Sequence, residues 1–109
     1  MQIVRLAEAR PYDASKHVDV RSWRLQGAET SPAFCRVGLS RYAPSGRAEL
    51  DAGAEPKIYV VLGGELTITR ADGTTAKLRA FDSCLIPAYE QRQVDNLSGA
   101  EAVLLVIMP

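Results

Sequence analysis

One histidine and two cysteines are the whole stock of imidazole and thiol side chains in 109 residues. His17 is the single side chain whose ordinary pKa lies near physiological pH. Cys35 and Cys84 form no C-x-x-C pair and no disulfide framework, and with one histidine beside them they do not make a structural zinc site. Chemistry must therefore rest on carboxylates, lysine, arginine and tyrosine. The segment Lys57-Ile58-Tyr59-Val60-Val61-Leu62 reads as a strand, and period-two alternation puts Lys57, Tyr59 and Val61 on one of its faces. A cation and a phenol side by side can hold an anion or move a proton. His17, near a strand start, reads as a surface residue. The cysteines read as small buried hydrophobes within strands.

The elements that must position these groups are short. Gln26-Gly27, Ser31-Pro32, Pro44-Ser45-Gly46, Gly53, Gly63-Gly64, Asp72-Gly73, Pro87 and Ser98-Gly99 break the chain at intervals too close for ordinary helices. Between the breaks lie strand-favouring stretches: 17–25, 34–42, 57–62, 65–70, 74–79, 83–86, 92–95 and 102–108. An all-β sandwich or barrel follows. Asp72-Gly73, after the alternating Leu66-Thr67-Ile68-Thr69, predicts a hairpin with a type I′ turn. Residues 58–62 and 103–108 are continuously apolar, as in strands covered on both faces by a second sheet or a second subunit. Trp23 suits either the barrel mouth or a dimer face.

The length suits a single domain over residues 1–109, with residues 1–16 as a loose N-terminal arm. Thirteen basic and thirteen acidic residues cancel, which argues against nucleic acid or an anionic lipid surface as partner. No apolar run approaches the length of a membrane span, and the first residues lack the apolar core of a secretory signal, so the expected location is the cytoplasm.

From Tyr42 to Pro109 the order of elements resembles the cupin superfamily. Two stretches carry the resemblance. Pro44-Ser45-Gly46, followed after a variable piece by Lys57 to Ile68 with its Tyr59-Val60-Val61-Leu62-Gly63-Gly64-Glu65-Leu66, is similar to the family's first motif. Ala80-Phe81-Asp82-Ser83-Cys84-Leu85-Ile86-Pro87, followed by Arg92-Gln93-Val94-Asp95-Asn96, is similar to the second. The resemblance implies a double-stranded β-helix, a jelly-roll-like barrel with a pocket in its mouth. It also implies a metal held by three histidines and a glutamate. Here the glutamate position falls on Lys57, the last histidine on Arg92, and the paired histidines on Asp51 and Gly53, or on Leu50 and Ala52 with a loop one residue longer. Two of these positions hold side chains that are cationic at neutral pH, so no metal or other cofactor is expected. Recruitment of a metal by Glu49, Asp51, Glu55, Glu90, His17 or the cysteines is the remaining route to one.

On this alignment Asp51, Lys57 and Arg92 are the candidate catalytic residues. Tyr59 lies beside Lys57, and Tyr42, Arg47 and Glu49 stand near the mouth as candidate ligand contacts. Arg92 and Lys57 would present a positive pocket to a small carboxylate, enolate or phosphate, with Asp51 or Tyr59 moving a proton in an isomerisation, cyclisation or decarboxylation. The competing reading is an ion network that fills the space of a lost metal, and a third is a non-catalytic barrel that captures a small anion. Asp82, Gly64 and Asn96 match positions that serve turns. A homodimer is the expected assembly.

Overall fold

The computed structural model describes residues 1–109. A short 3₁₀ turn, Leu6–Glu8, precedes nine strands: β1 Arg10–Tyr12, β2 His17–Gln26, β3 Arg36–Asp51, β4 Lys57–Gly63, β5 Glu65–Arg70, β6 Thr75–Arg79, β7 Ser83–Ile86, β8 Arg92–Asp95 and β9 Ala102–Met108. They form a nearly closed antiparallel barrel ordered β6-β5-β8-β3-β9-β4-β7, with β2 along the other edge of β3 and β1 on β2.

Strand β3 is the spine. Its first half pairs β9, from Arg36↔Met108 to Tyr42↔Ala102, and its second half pairs β8, from Arg47↔Asp95 to Asp51↔Arg92. The break read at Pro44-Ser45-Gly46 is thus a bend inside one strand, not a turn between two. Ser45 takes a positive φ of 68° there, and the backbone bonds Ser45 N to Asn96 O and Asn96 N to Gly46 O carry the ladder across the corner. Asn96, nearly solvent-free, donates to the carbonyls of Tyr42, Ala43 and Ala100 and accepts from the Ser98 amide and hydroxyl. Its amide satisfies backbone groups that the bend would otherwise strand. Gly64, at φ +72°, lets β4 turn into β5. A Cβ there would meet the Glu101 carbonyl at 2.6 Å, so the position admits no side chain.

The core is the inward row of each strand: Tyr42, Ala48, Tyr59, Val61, Leu66, Ile68, Ile86, Val94, Ala102 and Leu104. Burial of residues such as Val61 and Leu104 contributes about 1.5–3 kcal/mol each. Three other sequence readings change. The arm is only partly loose, since Arg10–Tyr12 pairs Arg24–Ser22 and Ala9 is buried. The β5–β6 hairpin is present, but positive φ is confined to Gly73. Asp72 caps the turn, its carboxylate accepting from the Thr74 amide and hydroxyl, so the connection is not type I′. Cys35 lies just before β3, and both cysteines are half-buried rather than core.

Candidate functional site

Alternation along β4 sets the site. Tyr59 and Val61 are buried in the barrel, and Lys57, at the strand's open end, is half-buried. Arg92, 8% exposed, starts β8 opposite Asp51. Its Nε donates to the Tyr59 hydroxyl at 2.9 Å and its Nη1 to the Glu49 carbonyl at 3.2 Å. Burial pushes the Tyr59 phenol up, and the Arg92 charge partly reverses that. Arg92 is thus a buried cation whose hydrogen bonds go to neutral oxygens, with the Asp51 carboxylate near enough to feel its charge.

The carboxylates expected beside the two cations are engaged elsewhere. Asp51 takes a hydrogen bond from Lys16 Nζ at 3.3 Å, and the backbone amide of Ala52 together with Lys16 holds its carboxyl below the usual range. Glu49 offers Arg92 only its carbonyl, its side chain pointing out toward Arg47 at 3.8 Å. Glu55 pairs with Arg36 at 2.9 Å. Lys57 takes part in none of the ion pairs. Burial first, and the Arg92 charge second, lower its pKa, while Asp51 and Glu55 offset this in part. Of the mouth contacts expected from sequence, Tyr42 is a core residue at 1% exposure and Arg47 lies on the outer surface.

His17 is the residue that sequence reasoning misplaced. It opens β2 opposite Ala48, half-buried, with its ring centroid 6.5 Å from that of Tyr42. Its Nδ1 lies 2.7 Å from the Ser15 carbonyl, which can only accept, so Nδ1 carries the hydrogen and Nε2 is the nitrogen that gains or loses a proton. Burial lowers its pKa, the Ser15 bond raises it, and the charges of Arg92 and Lys57 lower it again. His17 therefore sits within the field of both cations as a neutral base. The one available signal was period two from its strand mates, which places residue 17 on the same side as buried neighbours only once the bulge between Val18 and Val20 is known.

Cations and clefts are distributed rather than pooled. Lys57 is the one charged residue lining an apolar cleft of about 220 Å³, with Phe34, Cys35, Ile58, Leu85 and Met108 among its walls. Arg92 borders a separate cleft of about 90 Å³ with Arg70, Cys84 and Glu90. The largest concavity, about 450 Å³ around Asp19, Arg41 and Glu101, contains none of the expected site residues.

The family model described as cupin domain matches residues 38–108. A beta-D-galactosidase of Mycobacterium tuberculosis is 40% identical over 108 residues, covering 97% of this chain and 91% of that protein. Among solved structures, the polyketide cyclase RemF from Streptomyces resistomycificus superposes with a TM-score of 0.88 at 16% identity, over all of this chain and 79% of the other. A predicted oxalate decarboxylase from Thermotoga maritima gives 0.82 at 21% identity, over 98% and 97%. The metal that the sequence resemblance implies does not fit the residues here: Lys57 and Arg92 are cations, Asp51 is bound by Lys16, and no three His, Cys, Asp or Glu side chains cluster to hold an ion.

Proposed function

Since the chain belongs to the cupin family, and on that premise, we propose that it is an acid–base enzyme whose barrel mouth holds a small carboxylate or enolate on Lys57, without a metal at the family's ligand positions. The observation that carries this reading is the Lys57 ammonium, half-buried at the open end of β4 beside Gly53, in no ion pair and within the field of Arg92. A partly desolvated cation without a counter-charge costs stability unless an anion joins it. Arg92 adds a fixed positive field from behind, and His17 Nε2 supplies the base for a proton next to a carbonyl, with negative charge developing toward the two cations. Pyruvate is a suitable probe. Its titration is expected to shift the amides of residues 57–59 saturably, and its methyl protons to exchange in deuterated water faster with the protein than without. Absence of any shift at tens of millimolar pyruvate removes the reading.

A second reading, hydrolysis of a β-D-galactoside, is favoured by the 40% identical relative. Ordinary glycosidases work with two carboxyl groups flanking the scissile bond. The carboxylates that act on Lys57 are Asp51 and Glu55, and each is already tied into an ion pair. Release of nitrophenol from nitrophenyl β-D-galactoside, abolished by Asp51→Asn but not by Lys57→Met, would put this reading first.

The outer face of the barrel bears on assembly. Val37, Ile107, Ile58 and Leu85 lie in one register row across β3, β9, β4 and β7, and Leu85 is 66% exposed. Such an apolar row on the outside of the barrel supports the homodimer reading. Sedimentation at micromolar concentration is expected to give a dimer; a monomer there removes it.

A further inference from the structure

We propose that the seam between β6 and β7 is a second binding site, one that takes a short aliphatic carboxylate with its head between Arg70 and Arg92. The two strands follow each other in the chain, yet they stand at opposite ends of the strand order and do not pair. The barrel is open along that line, and a cleft of about 90 Å³ lies in the gap. Inward-facing residues of the strands on either side line it: Ile68 and Arg70 of β5, Leu78 of β6, Cys84 and Ile86 of β7, and Arg92 of β8. One water needs about 10–15 Å³ of such space, so about six water-sized groups fit, as many as butyrate has heavy atoms. Lys57 lines a different cleft, so this site is separate from the one at the open end of β4.

The charges on the cleft call for an anion. Arg70 and Arg92 are register partners on neighbouring strands, where like charges directly opposite each other repel. Neither forms an ion pair. Arg92 gives Nε to the Tyr59 hydroxyl and Nη1 to the Glu49 carbonyl, and Arg70 gives Nη1 to Thr74 Oγ1 at 3.1 Å, so Nη2 of each guanidinium donates to no protein group. A carboxylate between them would cancel the repulsion and accept charge-assisted bonds from both. Glu90, the one acid on the cleft, is exposed and in no ion pair, and two cations outweigh it. Below the head the walls are Ile68, Leu78 and Ile86. A hydroxylated body would give up its bonds to water there without replacement, so the tail that fits is hydrocarbon.

Butyrate, acetate and inorganic phosphate are the probes, and the rate at which iodoacetamide alkylates each cysteine, followed by peptide mass spectrometry, is the readout. Saturating butyrate is expected to slow labelling of Cys84 about tenfold and to leave Cys35, which lines the other cleft, unchanged. Butyrate should bind about tenfold more tightly than acetate, whose tail is two methylenes shorter. Arg70→Gln removes an exposed side chain that holds no ion pair, so the fold should stand while butyrate binding weakens about tenfold. The same variant should leave pyruvate-induced shifts at residues 57–59 as in the wild type, which keeps the two sites distinguishable. Equal affinity for acetate and butyrate overturns the site, as does butyrate binding indifferent to Arg70→Gln. Phosphate that protects Cys84 as well as butyrate does overturns the aliphatic class. Butyrate binding lost in Lys57→Met but kept in Arg70→Gln would place the ligand at the open end of β4 instead.

Discussion

Lys57→Met is expected to weaken pyruvate binding about a hundredfold, as for loss of a charge-assisted bond in a water-poor site, and to leave the fold at least as stable as the wild type. Both halves follow from the same environment. Lys57 forms no ion pair, is half-buried, and has its pKa lowered by that burial and by the Arg92 charge, so its protonated form is disfavoured in the fold. Methionine keeps most of the apolar stem and removes the repulsion from Arg92. Because the folded pKa lies below the unfolded value, the wild type should gain stability as pH rises from the folded pKa toward about 10.5. Lys57→Met should lose that slope, which denaturant titrations at successive pH values would show. Arg92→Met is the necessary contrast. It strands the Tyr59 hydroxyl and the Glu49 carbonyl in a buried position, and a stability loss of about 2–4 kcal/mol is expected along with any loss of binding. A Lys57→Met protein that binds pyruvate as the wild type does would return Lys57 to the role of a surface cation.

How much of this was readable in the sequence depends on whether a feature is local. Strands β5, β7, β8 and β9 have the bounds that alternation and turn residues indicate, because period two and flanking glycines or prolines act over a few residues. Lys57, Tyr59 and Val61 share a face for the same reason, and Arg92 reaches Tyr59 as the motif spacing implies. What failed was non-local. Nothing near Pro44-Ser45-Gly46 announces that Asn96, fifty residues on by chain order, will bridge the corner and keep β3 continuous. Asp51 looked like the partner of Lys57, and only the fold shows Lys16 reaching it first. The pairing of β1 with β2, which lays Tyr12 against Arg24, was likewise unread, because a three-residue strand containing Pro11 carries little strand signal of its own.

His17→Asn is expected to cut the exchange of pyruvate methyl protons by about 10²-fold or more with little change in pyruvate binding. The asparagine amide can still donate to the Ser15 carbonyl, so the local backbone is kept while the basic nitrogen is lost. The pH dependence separates a base from a merely structural ring. Burial and the charges of Arg92 and Lys57 lower the pKa of His17 from 6.5, so Nε2 is unprotonated at neutral pH, and exchange should fall as pH drops through that lowered value. Stability moves in the same direction. An unfolded chain takes up the proton near pH 6.5 and the folded one only below it, so His17's contribution is complete above about pH 6.5 and is lost as pH falls toward the folded pKa. His17→Asn should abolish this acid slope and the acid limb of exchange together. If the slope vanishes while exchange keeps its rate and its pH profile, His17 supports the β2–β3 ladder opposite Ala48, and the proton must be taken by another group, with the Asp51 carboxylate next in line.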